Sequence, residues 1–381
     1  MYSASVVIVL LLIISCPGCK GFTSTITSGF NSVANVITNP TAREQYAREF
    51  KDDKPQFAPW ETAYNNAVND SLEVTLPYGE KGAFTPYRNV AYSYTVQLEE
   101  GEVLVANVAK DSVSQRVFID VFEDKGNSWQ HAKSATIADA SLEFEIAETG
   151  RYKIIIQPEL LAASDFFISL SKRPLYAFPV AGKGNAAIGS FWGVERDGGK
   201  RSHEGIDIFA KRGTPVVAAT SGSISFTGER GIGGKQVWLR DGLFGKSLYY
   251  AHLDSIAVQS GASVKTGDTL GFVGNTGNAR TTPPHLHFGI YRSGAVNPLP
   301  FVYQTPKVAQ AAFARNYNAT QLKAKSIANL RKAPTVKAQN LGALKANDTI
   351  ALLGQHNEWL HIQTRTGQKA FVHKSLVKEM K

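Results

Sequence analysis

The sequence predicts an all-β protein in three parts: an N-terminal β-sandwich, a glycine-rich central domain of two sheets, and a small C-terminal barrel. Three observations lead there. Of the 33 glycines, 22 fall between residues 181 and 300, and so dense a supply of turn formers without a long helical pattern implies many short strands. Apolar and polar residues alternate in Ala91–Val96, Val103–Val108, Val117–Phe122 and Tyr152–Ile156, the period of a half-buried strand. Breakers such as Glu100-Gly101, Asp124-Lys125-Gly126 and Thr149-Gly150 separate these runs.

In chain order, residues 1–15 read as a signal peptide. Val6–Ile14 holds no polar side chain, yet it is shorter than the ~20 residues a membrane-spanning helix needs. Ile13-Ile14-Ser15-Cys16 resembles a bacterial lipobox, although Met1–Ser5 lacks the usual Lys or Arg. The resemblance implies that Cys16 carries lipid and that the protein is a membrane-anchored lipoprotein outside the cytoplasm, on the periplasmic side of a Gram-negative envelope. The second cysteine, Cys19, lies nearby and no other follows, which excludes a disulfide framework for the folded body. Residues 16–70 divide into a tether rich in Ser, Thr, Asn and Gly and one or two short helices over 41–67. Residues 71–174 form the sandwich, which resembles the pre-peptidase type found beside secreted peptidases and reads as a spacer or binding domain.

The C-terminal third is simpler. Residues 301–324 read as a helix or linker. Residues 325–381 return to short strands, and Asn329-Leu330-Arg331, Asn357–Ile362 and Gly367–His373 resemble a bacterial SH3 domain, a module that holds its host on peptidoglycan. His356, His361 and His373 read as surface or packing residues.

Residues 175–300 carry the chemistry. Four of the eight histidines fall there, as His203, His252, His285 and His287. His285 and His287 sit two apart on a strand, so both point to one face while Leu286 and Phe288 bury on the other. Two imidazoles so placed can meet one metal, or one can bind while its neighbour works beside it. His203 and Asp207 are four apart, ~13 Å on a straight strand. Gly205 between them permits a bend, after which an imidazole and a carboxylate make half a zinc site.

The order His203-x-Gly205-x-Asp207, then Tyr250-Ala251-His252-Leu253, then His285-Leu286-His287-Phe288 is similar to the lysostaphin-like zinc metallopeptidases, the M23 peptidase family. Gly189–Gly193, Gly213–Ala219, Gly261–Gly271 and Gly274–Gly277 fit the same family's strands and turns. The resemblance implies one Zn2+ held by His203, Asp207 and His287, with His252 and His285 as catalytic histidines that do not bind it. Three protein ligands with an open fourth position are what a catalytic zinc requires. The residues do not divide the roles of base and oxyanion stabiliser between His252 and His285. Glu204 reads as a loop residue pointing away from the metal. One departure stands: no tyrosine occurs between Ala177 and Leu248, where some members carry one that helps hold the oxyanion. Loops at 191–202 and 228–247 are expected as walls of a groove.

The function implied is a zinc metalloendopeptidase that hydrolyses peptide cross-links of bacterial peptidoglycan. Its alternative is a catalytically silent relative that regulates or scaffolds wall remodelling; all five site positions are filled, which favours the enzyme. Forty-one basic against 32 acidic residues give a net charge of +9, suited to an anionic wall or membrane surface. The charge is spread along the chain with no Lys/Arg block, so nucleic acid is not an expected partner.

Overall fold

In a computed structural model, residues 40–112, 114–242, 245–306, 308 and 319–380 are described. The leader, Cys16 and Cys19 lie outside them, as does most of 307–318. Among the described residues no helix is long and apolar enough to cross a membrane.

Two helices come first, α1 (Ala42–Glu49) and α2 (Lys54–Asn69). Thr41 and Glu44 form a capping box at the start of α1, satisfying donors that a helix N-terminus leaves unpaired. Tyr46, Phe57 and Trp60 pack with Phe118 and seat both helices on the sandwich. The sandwich strands are β1 (Tyr78–Phe84), β2 (Tyr92–Leu98), β3 (Glu102–Lys110), β4 (Val117–Asp124), β5 (Trp129–Ser134), β6 (Ser141–Glu145), β7 (Gly150–Pro158) and β8 (Ser164–Pro174). They run β1-β8-β3-β6 in one layer and β2-β7-β4-β5 in the other.

The central strands are β9 (Ile188–Ser190), β10 (Glu195–Arg196), β11 (Arg201–Ser202), β12 (Ile206–Phe209), β13 (Pro215–Val217), β14 (Gly222–Glu229), β15 (Lys235–Arg240), β16 (Ser247–Ile256), β17 (Ser263–Val264), β18 (Thr269–Val273), β19 (His285–Tyr291) and β20 (Ala295–Val296). Instead of the expected two sheets, all of these but β10 and β11 belong to one ten-stranded sheet, in which β16 pairs with β15, β18 and β19. Through Ala251 it pairs with β19, and from Leu253 it pairs with β18. His252 stands at the changeover with φ 62°. Left-handed backbone is uncommon for a residue with a Cβ, and here it turns the strand from one partner to the other. The core of this domain is apolar, with Ile206, Ile208, Leu286, Phe288, Leu253 and Leu270 fully buried.

After a short helix α3 (Leu299–Val302), the last strands are β21 (Gln321–Ala324), β22 (Ala328–Arg331), β23 (Asn340–Leu344), β24 (Thr349–His356), β25 (Trp359–Gln363), β26 (Lys369–His373) and β27 (Val377–Glu379). The stretch 301–324, expected as helix or linker, thus ends in a strand, because Gln321–Ala324 pairs with both β24 and β27.

A larger difference from expectation lies at β24. Its edge pairs with β1 at Lys81↔Gln355 and Gly82↔Gly354, so barrel and sandwich share one sheet, ordered β23-β22-β26-β25-β24-β1-β8-β3-β6. Leu353 and Phe371 join the sandwich core. Fully buried at the seam, Glu80 lies 3.1 Å from His361 Nδ1 and accepts from the hydroxyls of Tyr78 and Tyr94. Burial alone would raise the Glu80 pKa; His361 and the two tyrosines outweigh it and hold the carboxyl below its usual range. Any side chain at Gly354 would run into that carboxylate.

Candidate metal centre

Strand pairing builds the site. Asp207 on β12 lies opposite His287 on β19, which lies opposite Ala251 on β16. All three therefore share one face of the sheet, and His285 joins them two residues from His287. The opposite face carries Leu286 and Phe288, fully buried, each contributing about 1.5–3 kcal/mol and together fixing which way the histidines point. His203 precedes β12 in a loop, where its backbone exchanges hydrogen bonds with Gly193 and Val194.

Three ligand atoms converge. His203 Nε2, His287 Nδ1 and Asp207 Oδ1 form a triangle with every side 3.1 Å. An ion bonded tetrahedrally at 2.0–2.2 Å would hold its ligands about 3.4 Å apart, so the triangle fits a divalent ion after a shift of tenths of an ångström. Two imidazole nitrogens and one carboxylate oxygen are donors suited to a first-row metal. Among the described residues this is the one group of three or more such side chains with that convergence.

Tautomers are set by backbone carbonyls, which can only accept. Nδ1 of His203 bonds Phe191 O at 2.8 Å, leaving Nε2 as the lone-pair donor to a metal. Nδ1 of His252 bonds Thr276 O at 2.9 Å, and Nδ1 of His285 bonds Pro283 O at 2.8 Å. Both therefore present a bare Nε2 when neutral. Burial, followed by the neighbouring imidazoles of His287 and His285, pushes the His252 pKa down to about 4, so this ring is neutral at pH 7. Burial would raise the Asp207 pKa, but the imidazoles of His203 and His287 beside it outweigh burial and hold the carboxyl below its usual range. The rings of His252 and His285 lie 5.1 Å apart, and His252 is 5.8 Å from His287.

All five side chains line one groove of about 850 Å³. Its walls come from Arg196, Arg201 and Ser202 on one side and Ile232 and Gly233 on the other, within the two loops expected to form them.

Residues 201–298 match the model of Peptidase family M23, and residues 326–378 match that of the Bacterial SH3 domain. The chain carries an M23 peptidase domain. It is 39% identical over 142 residues to DD-carboxypeptidase/endopeptidase Mpg of Neisseria meningitidis serogroup B, covering 37% of this chain and 32% of that protein. The L-Ala–D-Glu endopeptidase of Bacillus subtilis is 37% identical over 125 residues, covering 31% of this chain and 38% of that one. The solved catalytic domain of lysostaphin from Staphylococcus simulans shares 36% identity over 30% of this chain and 89% of its own, with a TM-score of 0.28. The chain spans only about one-third of the length of the curated relatives it matches.

Within the M23 domain, Glu204 keeps away from the metal group and interacts with Tyr291. Gly205 has a different task from the expected bend. Its φ is not in the left-handed region; instead, a Cβ there would lie 2.6 Å from His287 Cε1 and 2.7 Å from Phe288 O. Two further groups escaped the sequence reading. Tyr249 and Tyr291 line the groove, the Tyr249 ring standing 5.7 Å from that of His287. Strand alternation from Ala251 would have placed Tyr249 on that face. Arg196 bonds Asp207 from the hairpin β10–β11, and nothing local in the sequence signals it.

Proposed function

We propose that this chain is a zinc-dependent endopeptidase that hydrolyses peptide cross-links of bacterial peptidoglycan, with His203, Asp207 and His287 holding one Zn2+. The observation that carries the reading is the equilateral 3.1 Å triangle of two nitrogens and one oxygen, with two non-ligand imidazoles beside it. A zinc ion held by these three residues would supply Lewis-acid activation of a carbonyl and of water near neutral pH. The neutral Nε2 of His252 is suited to accept a proton and return it to the leaving amine. His285, its Nδ1 tied to Pro283 O, is suited to stabilise the developing oxyanion once it carries a proton on Nε2. The peptidoglycan substrate is supported by the M23 relatives and by the SH3 segment. Lipid on Cys16 and a periplasmic location rest on the lipobox; loss of labelled fatty acid in Cys16→Ala tests the first, and protease accessibility in spheroplasts the second.

The decisive experiment digests purified sacculi with wild type, chelator-treated protein and His285→Ala, and weighs the fragments by mass spectrometry. Cross-linked species should vanish only with untreated wild type. Equal profiles in all three reject the enzyme.

A further inference from the structure

The hairpin β10–β11 brings a cation to the metal group. Its turn, Asp197-Gly198-Gly199-Lys200, uses left-handed backbone at Gly198 (φ 69°) and Gly199 (φ 85°), which glycine adopts readily. The turn folds Arg196 back opposite Arg201. Arg196 Nη2 then donates to Asp207 Oδ2 at 2.7 Å and to Ser190 Oγ at 2.7 Å. Ser190 and Asp207 are register partners on β9 and β12, so one nitrogen reaches both. Ser190 Oγ also lies 3.4 Å from His203 Nδ1. One guanidinium thus holds Asp207 directly and reaches His203 only through Ser190.

The consequence concerns the two oxygens of Asp207. Oδ1 faces the imidazoles of His203 and His287, while Oδ2 belongs to Arg196. A carboxylate can meet a divalent ion with one oxygen or with both. In a site of three ligands, the second oxygen would take the position that a hydrolytic centre leaves for water or substrate. A charge-assisted bond to a rigid guanidinium opposes the rotation that would bring it there.

We propose that Arg196 is the positioning residue that restricts Asp207 to one metal-binding oxygen and thereby keeps the fourth position open. The role rests on the metal-centre reading above. It gives the 191–202 wall a task beyond shaping the groove: the wall sets the coordination number of the ion beneath it.

Cobalt(II) in place of zinc reports this directly, because four-coordinate cobalt absorbs visible light far more strongly than five-coordinate cobalt. Full-length wild type, Arg196→Ala and Arg196→Lys are loaded, and their metal content and visible spectra are measured. Wild type and Arg196→Lys should give intense bands. Arg196→Ala should bind one ion yet show weaker, shifted bands as the second oxygen joins. Zinc-loaded Arg196→Ala should lose about 10- to 100-fold in activity with an unchanged circular dichroism spectrum. Wild-type bands in Arg196→Ala overturn the role of Arg196 alone. A wild-type chain that takes up no metal overturns the metal centre and this role together.

Discussion

Gly205→Ala tests the site geometry without altering a ligand. The added methyl would stand 2.6 Å from Cε1 and 2.7 Å from Nε2 of His287, and 2.7 Å from the carbonyl oxygen of Phe288. Non-bonded carbon contacts settle at about 3.5 Å or more, so close to 0.9 Å of overlap must be relieved. The carbonyl belongs to the middle of β19 and is held by the ladder to β12 and β16. The imidazole is therefore the group that moves. Metal sites tolerate ligand displacements of about 0.2 Å, several times less than the overlap. We expect metal affinity to fall about 10- to 100-fold, or ~1.4–2.8 kcal/mol, measured by competition with a chromophoric chelator. Gly294→Ala is the control, since a methyl there meets nothing within 4 Å. Wild-type affinity in Gly205→Ala would refute the reasoning that this glycine exists to let His287 approach.

Other expectations follow from the site and the seam. His285→Ala should keep one bound ion while cross-link cleavage drops about 10²- to 10⁴-fold, checked by metal content and fragment release. Glu80→Ala removes one partner of a buried pair and should cost about 3–5 kcal/mol, read as a lower urea midpoint in the fluorescence of Trp359; Glu80→Gln, which keeps the shape, should cost less. Because the folded Glu80 pKa is depressed, its stabilisation is complete above the unfolded value of ~4.3 and is lost as pH falls below it. The urea midpoint should therefore drop below about pH 4 in wild type, and drop less in Glu80→Gln.

What the sequence disclosed and what it withheld divide along range of contact. His285 and His287 are legible because strand periodicity puts both on one face; His203, Asp207 and His252 are legible only through the likeness of their short motifs to the M23 family, since His203 lies in a loop and His252 in left-handed backbone. The sandwich strands are legible through the same periodicity. The joining of barrel to sandwich was not: it depends on two register pairs, Lys81↔Gln355 and Gly82↔Gly354, and on Glu80 meeting His361 across 281 positions. Edge pairing is made by backbone groups and leaves no side-chain signature. His356, His361 and His373, expected at the surface or in packing, contact Gly79 O, Glu80 and Trp359, and nothing in the sequence points to Glu80 as the partner of His361. Arg196 was hidden by a similar circumstance, since its reach depends on the path of a glycine turn. At Gly205 the lack of a side chain matters more than the freedom of backbone that the sequence suggests.

The M23 domain leaves and rejoins the remaining chain at a single doorway. Tyr176 N donates to Phe301 O at 2.8 Å, and the two rings stack 5.5 Å apart. The strands before and after it belong to one shared sheet. The M23 domain is therefore a cartridge set into the frame of sandwich and barrel, with both of its ends side by side. Entry and exit points that close together are where chains accept excision and exchange most readily. A short bridge could replace the whole cartridge while the frame stays whole, and a different domain could be fitted through the same opening.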